Sequence, residues 1–406
     1  MKKSALACII LAAGRGTRMR SALPKVLHPV AGLPMLGHVI RAAGELGAEQ
    51  TVVVVGPEMD DVAKFVAPHP TVVQTKQQGT ADAVRMAEAR LGKLNGDVLI
   101  LYGDTPLVDA DALRTLRDAG REGGADVVVA AFKPQDPGAY GRVVVDAAGA
   151  VTAIVEALDA TPEQKDIRLC NGGMMLLTSP KMWDLLARIK NDNAKKEFYL
   201  TDIVKLAHAD GLKTAFAEIS EDAVLGVNDR VELAVAEGIY QRKIRERVMR
   251  AGASLPDPDS VYFSHDTVIG QDVTIGQHVV FAPGVVVEEN NLQTQVSSLR
   301  KLLGPQAIQT IPGRGYRFVA ALQGLHEQGG SAPPQAATPA LALGAKTAMA
   351  AAAEAAAASA RRPEFKTNLP ESLPVLFGRE DDVAALGALI AQHRLISIIA
   401  AGGTGK

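Results

Sequence analysis

Cysteine is scarce in this chain. Only Cys8 and Cys170 occur among 406 residues, and Cys8 lies inside an apolar run. Two cysteines cannot build the disulfide framework that stabilises small secreted domains, and unpaired thiols are typical of a reducing compartment. With 47% hydrophobic residues, the chain has ample material for an apolar core. We therefore expect a cytoplasmic protein that is stabilised by packing rather than by cross-links.

A large excess of one charge is also missing, as is a long uncharged apolar run. The chain carries 43 basic and 45 acidic residues, a formal net charge of -2. This balance excludes a global basic field for nucleic acid, although it does not exclude local basic patches. No run of about 18 apolar residues indicates a membrane span. Residues 1–13 also fit a secretory signal, but we interpret residues 5–11 as a first strand because a glycine loop follows.

The first 230 residues alternate apolar runs with stretches of helical spacing. The runs predict strands at residues 5–11, 51–55, 97–101 and 126–132. Residues 80–91 predict a helix with Val84, Ala87 and Leu91 on one face. This alternation predicts an α/β fold with a largely parallel, doubly wound, Rossmann-like sheet. Ligands of such sheets bind beyond the carboxyl ends of the strands, which places residues 14–18 and Asp104 at one edge.

A glycine-rich loop follows the first predicted strand. From residue 11 to 19 it reads Leu-Ala-Ala-Gly-Arg-Gly-Thr-Arg-Met, and Pro24-Lys25 comes shortly after. Glycine lets backbone N–H groups approach a phosphate chain, and nearby cations neutralise its charge. The pattern therefore indicates a nucleoside triphosphate site, while a plain strand-to-helix turn explains the spacing equally well.

Asp104 follows another predicted strand, between Gly103 and Thr105. A carboxylate at this point can hold Mg²⁺ against substrate phosphates. It can also cap the turn that follows. From the residues alone, both interpretations stay open.

The pattern changes beyond residue 230. A long helix is predicted at residues 231–249, within a linker of residues 231–260. Residues 261–289 then repeat apolar positions every six residues, with Ile269, Ile275 and Phe281 in phase. A six-residue period indicates the start of a β-helix. The segment is short for such a fold, since a solenoid needs several turns to bury its core.

The last part of the chain has three different compositions. Residues 291–303 have helical spacing, and residues 307–319 predict a hairpin around Pro312-Gly-Arg-Gly. Residues 321–374 are rich in Ala, Gly, Ser and Pro and predict a disordered linker. Residues 375–406 predict a helix and a strand before a second glycine loop, Gly402-Gly-Thr-Gly-Lys.

Residues 1–289 resemble the bacterial bifunctional N-acetylglucosamine-1-phosphate uridylyltransferases/glucosamine-1-phosphate acetyltransferases. The resemblance rests on an ordered set of motifs: residues 11–19, Pro24-Lys25, Gln74 before Gly79-Thr80, Tyr102-Gly103-Asp104, Tyr140-Gly141-Arg142, Glu156, Asn171-Gly172-Gly173, residues 197–202 and Gly226-Val227-Asn228. Such a set is far more specific than one glycine loop. It implies transfer of a uridylyl group from UTP to N-acetylglucosamine-1-phosphate, for peptidoglycan and lipopolysaccharide precursors, with Mg²⁺ as cofactor.

The resemblance also implies site residues. The nucleotide would be bound by Leu11, Ala12, Ala13, Gly14, Arg15, Gly16, Thr17, Lys25, Gln74, Gly79, Thr80, Tyr102, Gly103 and Asp104. Within this set, Gln74, Gly79 and Thr80 would read the uracil. Arg18 and Lys25 would supply catalytic positive charge. The sugar would be bound by Gly141, Glu156, Asn171 and Asn228. Asp104 and Asn228 would coordinate Mg²⁺, which prefers oxygen ligands.

Two departures from the family change the expected partners. The family continues the six-residue repeat through the coils that form its acetyl-CoA site and its trimer, whereas about four repeat units precede residue 289 here. We therefore expect neither acetyl-CoA binding nor acetyltransferase activity, and the oligomeric state stays open. Residues 291–320 instead resemble the C-terminal part of a winged-helix DNA-binding domain of the response-regulator type.

The winged-helix fragment supplies the alternative function, a DNA-binding transcriptional regulator. It lacks the N-terminal sheet and first helices of such a domain, so its basic residues are better interpreted as a solvated face. Residues 375–406 resemble the start of an ATPase domain, with a loop similar to Walker A, and no ATP hydrolysis is expected there because no Ser or Thr follows Lys406. No membrane partner is expected.

Overall fold

The computed structural model describes residues 5–92, 94–178, 181–287, 300–301, 305–306, 308–311 and 315–318. These residues fall into two compact units, one that reaches residue 287 and one that begins at residue 300. The first unit contains the strands β1 (Ala5–Ala12), β2 (Pro29–Val30), β3 (Leu33–Pro34), β4 (Gln50–Val55), β5 (Thr71–Val73), β6 (Gly96–Tyr102), β7 (Val127–Phe132), β8 (Arg142–Val145), β9 (Val151–Val155), β10 (Cys170–Leu177), β11 (Thr214–Glu218), β12 (Val268–Ile269) and β13 (Val286–Val287). Its helices are α1 (Met35–Glu45), α2 (Asp60–Val66), α3 (Thr80–Arg85), α4 (Glu88–Leu91), α5 (Ala110–Gly123), α6 (Pro162–Lys165), α7 (Met182–Arg188), α8 (Asp202–Ala209) and α9 (Arg230–Arg250).

One mixed sheet forms the centre of the first unit. Within the described residues it has nine strands, in the order β11-β7-β10-β6-β1-β4-β5, with β8 and β9 extending from β10. β6, β1, β4 and β5 pair in parallel, whereas β10 runs antiparallel to both β6 and β7. The Rossmann-like α/β prediction is confirmed. The sheet is mixed, however, because β10 enters it in the opposite direction.

Both faces of this sheet are buried, which explains the unbroken apolar sequence of β1. Successive side chains of a strand point to opposite faces. Leu6, Cys8 and Ile10 pack into one hydrophobic cluster, and Ala7 and Ile9 pack into another on the opposite face. A strand covered on both faces has no position left for a polar residue.

Two local predictions require correction. The helix predicted at residues 80–91 is divided into α3 and α4, although Val84, Ala87 and Leu91 are all buried as predicted. The strand β10 was not predicted, because its Asn171-Gly-Gly start is typical of a turn. The register of β10 against β7 shifts between Asn171 and Met175, so the strand absorbs these glycines as an irregularity.

The helix α9 connects the sheet to a short coiled segment. It begins at Arg230 because the Asp229 carboxylate accepts hydrogen bonds from the amides of Val231 and Glu232. After it, Val268 pairs in parallel with Val286, and Tyr262 with Val280, so that partners are 18 residues apart. Three six-residue units therefore separate the paired positions. Ile275 and Phe281 are buried and Ile269 packs against them, as the six-residue period predicts.

The second unit contains an antiparallel hairpin of β14 (Ile308–Ile311) and β15 (Gly315–Phe318). Ile308 pairs with Phe318 and Ile311 with Gly315, which confirms the predicted hairpin. Most of the helix predicted at residues 291–303 lies outside the described residues, as do the linker at 321–374 and the segment 375–406. Among the helices that the structure describes, none has the length and apolarity needed to cross a membrane.

Candidate active site

The carboxyl ends of β1 and β6 open onto a cavity of about 300 Å³, here called the loop cavity. Most of its lining residues belong to the predicted nucleotide site: Leu11, Ala12, Ala13, Gly14, Arg15, Lys25, Gln74, Gly79, Thr80, Tyr102 and Asp104. Val26, Gln77, Ala83 and Glu197 complete the lining. The edge of the sheet therefore brings together residues that are up to 186 positions apart between Leu11 and Glu197.

The two glycines of the first loop have different structural roles. Gly16 has a φ of 62°, in the left-handed region, and a side chain there would overlap the Cβ of Lys25. Gly16 is thus required for the loop to pack on the Lys25 segment. Gly14 lines the cavity, and a Cβ built on it would meet no atom within 4 Å. The open space above Gly14 is suited to close approach by a phosphate.

Lys25 lies at the junction of the charged groups. Its ammonium forms an ion pair with the Asp104 carboxylate and donates to Asn228 Oδ1 at 3.2 Å. The Lys25 and Asp104 side chains are only 11% and 22% exposed, so this ion pair is partly shielded from water. Asp104 and Asn228 thus converge on one point although 124 residues separate them in sequence.

Two further hydrogen bonds explain this convergence. The amide of Val227 donates to the carbonyl of Asp104 at 2.9 Å, which ties the segment before α9 to the end of β6. The amide of Asn228 donates to Glu232 Oε2 at 2.6 Å. Among the described residues no group of three or more His, Cys, Asp or Glu side chains could hold a metal. Two converging oxygen ligands nevertheless suit Mg²⁺, which usually takes its other ligands from water and substrate phosphates.

The segment from Gln74 to Thr80, which leads into the first turn of α3, forms a second wall of the loop cavity. Gln74 is 4% exposed, and its Nε2 donates to the carbonyl of Gly79 at 2.9 Å and to Asp82 Oδ2 at 2.8 Å. Thr80 Oγ1 accepts a hydrogen bond from the amide of Leu200 at 2.9 Å. The wall is therefore held from behind by its own side chains and by a distant segment.

A second cavity of about 590 Å³ adjoins the first, and we call it the hairpin cavity because Gly141 and Glu156 flank the β8–β9 hairpin. Tyr102 and Asp104 line both cavities. The hairpin cavity also contains the predicted residues Arg18, Gly141, Glu156, Asn171 and Asn228. The predicted nucleotide and sugar residues thus occupy neighbouring cavities that meet at Asp104.

Glu156 and Tyr102 are two titratable groups of the hairpin cavity whose pKa values are shifted. Burial raises the pKa of Glu156 above its usual value, although the positive charge of Lys195 and a hydrogen bond from Thr201 Oγ1 at 3.4 Å oppose the shift. Burial also raises the pKa of Tyr102, and the negative charges of Asp104 and Glu156 add to the effect. Tyr102 is therefore a neutral phenol at the boundary of the two cavities.

Three predicted site residues line neither cavity: Gly16, Thr17 and Gly103. Gly16 packs against Lys25, as described above. The amide of Gly103 donates to the carbonyl of Leu11 at 2.9 Å, which fastens the end of β6 to the end of β1. Thr17 begins a short 3-10 turn. In this geometry they shape the site from outside the two cavities.

The lining residues that the sequence prediction missed include Gln77 and Glu232. Gln77 lies in the loop before Gly79, and its Nε2 donates to the carbonyl of Ala13 at 2.5 Å. Glu232 lines the hairpin cavity from the first turn of α9. The spacing of Asp229 and Glu232 is typical of a helix start, so the pattern indicates a structural role for Glu232 and no functional one.

The part of the chain that forms the loop cavity is similar to known NTP transferase domains. Residues 8–209 match the family model described as MobA-like NTP transferase domain. The chain is similar to a solved UDP-glucose pyrophosphorylase complexed with UDP-glucose, with a TM-score of 0.50 and 18% identity, over 59% of this chain and 99% of that one. At this identity the structural likeness shows the fold alone. The match to an NTP transferase domain covers all the residues that line the loop cavity.

Curated relatives are closer in sequence. The chain is 54% identical over 292 residues to the bifunctional protein GlmU of Paramagnetospirillum magneticum, over 71% of this chain and 65% of that protein. It is 51% identical over 270 residues to the bifunctional protein GlmU of Rhodospirillum rubrum, over 66% of this chain and 60% of that protein. The chain thus spans less than two thirds of the length of these relatives. The comparisons give no support to a DNA-binding regulator or to a winged-helix fragment.

Proposed function

We propose that this protein is a sugar-phosphate nucleotidyltransferase that transfers a uridylyl group from UTP to N-acetylglucosamine-1-phosphate. The products are UDP-N-acetylglucosamine and pyrophosphate. The observation that carries the proposal is the position of Asp104, which lines both cavities and pairs with Lys25, whose ammonium also donates to Asn228. The similarity to the GlmU proteins supports it. A cytoplasmic role in making peptidoglycan and lipopolysaccharide precursors is part of the same proposal.

In this proposal the loop cavity takes UTP. The phosphates lie over Gly14, and Arg15 and Lys25 are the cationic residues of the lining. The uracil lies against Gln74, Gly79 and Thr80, whose amide and backbone groups suit the edge of a pyrimidine. The open space above Gly14 and the low exposure of Gln74 support this orientation.

The hairpin cavity takes N-acetylglucosamine-1-phosphate. Glu156 and Asn171 offer polar groups to the sugar, and Arg18 offers a positive charge to its phosphate. The Asn171 Oδ1 already accepts a hydrogen bond from the amide of Gly173 at 3.0 Å. Its Nδ2 is therefore the group that can donate to a sugar oxygen.

The reaction requires neutralisation of charge more than proton transfer. An oxygen of the sugar phosphate attacks the α-phosphorus of UTP, and the bond from that phosphorus to the β-phosphate oxygen breaks as pyrophosphate leaves. The attacking oxygen is already anionic, so no side chain has to remove a proton. Arg18 and Lys25 lower the repulsion between the anions and stabilise charge on the leaving group. Mg²⁺, when held by Asp104 and Asn228, would supply further positive charge between the phosphates.

The test is release of pyrophosphate by the purified full chain with UTP, N-acetylglucosamine-1-phosphate and Mg²⁺. We expect turnover with this pair and much less with glucose-1-phosphate or with other nucleoside triphosphates. A folded protein that releases no pyrophosphate from any pair would refute the activity. A clear preference for a different sugar or base would retain the class of reaction and overturn the proposed substrates.

We also propose that residues 261–287 are the start of a left-handed β-helix. The parallel pairing of positions 18 residues apart supports this assignment, since three six-residue units complete one turn.

A further inference from the structure

Asp82 is an acidic residue next to the loop cavity that does not line it. It lies in the first turn of α3, where an acidic side chain is ordinarily explained by the helix dipole. Here, however, Asp82 Oδ2 accepts hydrogen bonds from Gln74 Nε2 at 2.8 Å and from the amide of Gln78 at 3.2 Å. The carboxylate is therefore bonded to the wall of the site.

These bonds determine which way the Gln74 amide faces. Both N–H groups of Gln74 Nε2 are used, one by Asp82 and one by the carbonyl of Gly79 at 2.9 Å. A carboxylate and a carbonyl can only accept. Rotating the amide by half a turn would place Gln74 Oε1 against the Asp82 carboxylate and the Gly79 carbonyl, so that neither acceptor would have a donor. Unpaired acceptors cost free energy at a side chain that is only 4% exposed. The orientation of the amide is thus fixed by its partners.

The consequence is that Gln74 can offer only its oxygen to a ligand. Among the described residues no donor contacts Gln74 Oε1, and Gln74 lines the loop cavity. An oxygen acceptor pairs with the N3–H of uracil. Cytosine has the same size but carries an unprotonated N3 acceptor, which the oxygen would repel. The direction of one side-chain amide can therefore distinguish the two pyrimidines.

We propose that Asp82 is a positioning residue that sets nucleotide specificity by locking Gln74 with its oxygen towards the base, thereby selecting uridine over cytidine nucleotides. The inference rests on the proposed function, in that the loop cavity takes the base of the nucleotide. Asp82 itself touches no substrate. Its effect passes through Gln74 alone.

The test compares UTP and CTP on the full chain with Mg²⁺, by calorimetric binding and by kcat/KM for pyrophosphate release. In Asp82→Asn the new amide can donate or accept, so Gln74 is free to turn. We expect the preference for UTP over CTP to shrink by about 10- to 100-fold, as for loss of one well-formed buried hydrogen bond. Most of the change should lie in nucleotide binding and KM, with kcat for UTP changed little.

Three further variants give the comparison its controls. Gln74→Ala should lose the preference for UTP as well. Adding Asp82→Asn to Gln74→Ala should not change the UTP/CTP ratio further, because Asp82 acts through Gln74. Glu88→Gln, which makes the same change of charge at an exposed position of α4, should leave the ratio as in the parent protein.

Two results would overturn the inference. One is an equal fall in UTP and CTP affinity in Asp82→Asn, which is what a merely structural role predicts. The other is a further change of the ratio when Asp82→Asn is added to Gln74→Ala. Failure of the proposed function is a separate result, since the parent protein would then fail to bind UTP or to release pyrophosphate from it.

Discussion

The loop cavity and the hairpin cavity are built by different means. In the loop cavity, main chain shapes the side formed by the first loop and the strand ends: Gly14 leaves open space, and Gly103 fastens two strand ends through its amide. The hairpin cavity depends on side chains from separate segments, such as Glu156, Asn171 and Glu232. Phosphates can be bound by backbone N–H groups and cations, whereas a sugar requires directional polar side chains. The two cavities should therefore respond differently to substitution.

The largest effect is expected at the boundary, where one residue serves both cavities. Asp104→Ala removes the partner of Lys25 and one of the two oxygens proposed to hold Mg²⁺. We expect kcat for pyrophosphate release to fall by about 100- to 1,000-fold, as when one preorganised electrostatic group is lost. The melting temperature should change little, because the Asp104 carbonyl still accepts from Val227. Asp118→Ala, on the exposed face of α5, is the control. Normal turnover by Asp104→Ala would show that Asp104 is not part of the active site.

The next effect separates Gly14 and Gly16, the two glycines of the first loop. In Gly14→Ala the new methyl meets no protein atom, so stability should be retained while KM for UTP rises by about tenfold or more. In Gly16→Ala the methyl overlaps Lys25 and the residue stays in the left-handed region, which costs about 1–2 kcal/mol before any overlap is counted. Thermal denaturation and steady-state kinetics measure the contrast. Equal melting temperatures for the two variants would contradict it.

A smaller effect is expected in the hairpin cavity. Asn171→Asp keeps the oxygen that accepts from Gly173 but replaces the Nδ2 donor with a second acceptor. KM for the sugar phosphate should rise by about five- to tenfold, the value of one hydrogen bond, while KM for UTP stays the same. Steady-state kinetics with each substrate varied in turn measure this. A rise in the KM for UTP alone would show that Asn171 acts on the nucleotide and that its assignment to the sugar phosphate is wrong.

The smallest effect concerns stability and pH. The raised pKa of Glu156 means that the folded protein binds this proton more tightly than the unfolded chain. Ionisation of Glu156 therefore costs stability as pH rises through the folded pKa, and the cost is absent below the usual carboxyl range. Glu156→Gln should melt at a higher temperature than the parent at about pH 8 and at the same temperature at about pH 4.

The exposed Glu122→Gln on α5 is the matched control and should show no such difference. A gain for Glu156→Gln that is equal at both pH values would show that packing, and not ionisation, accounts for it. Activity towards the sugar phosphate should fall in the same variant, because Glu156 lines the hairpin cavity.

Apolar runs in the sequence predicted some strands of the sheet and missed others. Strands β1, β4, β6 and β7 were recognisable because strands buried on both faces are continuous apolar runs. The place of Asp104 followed from the rule that ligands bind at strand ends. By contrast, β10 was hidden because Asn171-Gly-Gly has the composition of a turn. Its irregular register against β7 is a tertiary property that no local pattern contains.

The convergence of Asp104 and Asn228 was also beyond local patterns. It depends on the hydrogen bond from Val227 to the Asp104 carbonyl, between segments more than a hundred residues apart. The expectation that Asp104 and Asn228 act together came instead from resemblance to a family. Gln77 could not be predicted as a lining residue, because its position depends on the way the loop folds back on Ala13. The role proposed for Asp82 was not predicted, because an acidic residue in a first helical turn is ordinarily explained by the helix dipole.

The segment before α8 is bonded to both cavities. The amide of Phe198 donates to the Gln78 carbonyl, that of Leu200 donates to Thr80 Oγ1, and the hydroxyl of Thr201 donates to Glu156. This short strip of chain, residues 198–201, thus connects a wall of the loop cavity with a wall of the hairpin cavity. A substrate that stiffens this strip reduces the entropy that the other substrate must lose on binding. By thermodynamic reciprocity, each substrate then tightens the other by the same factor, whichever arrives first.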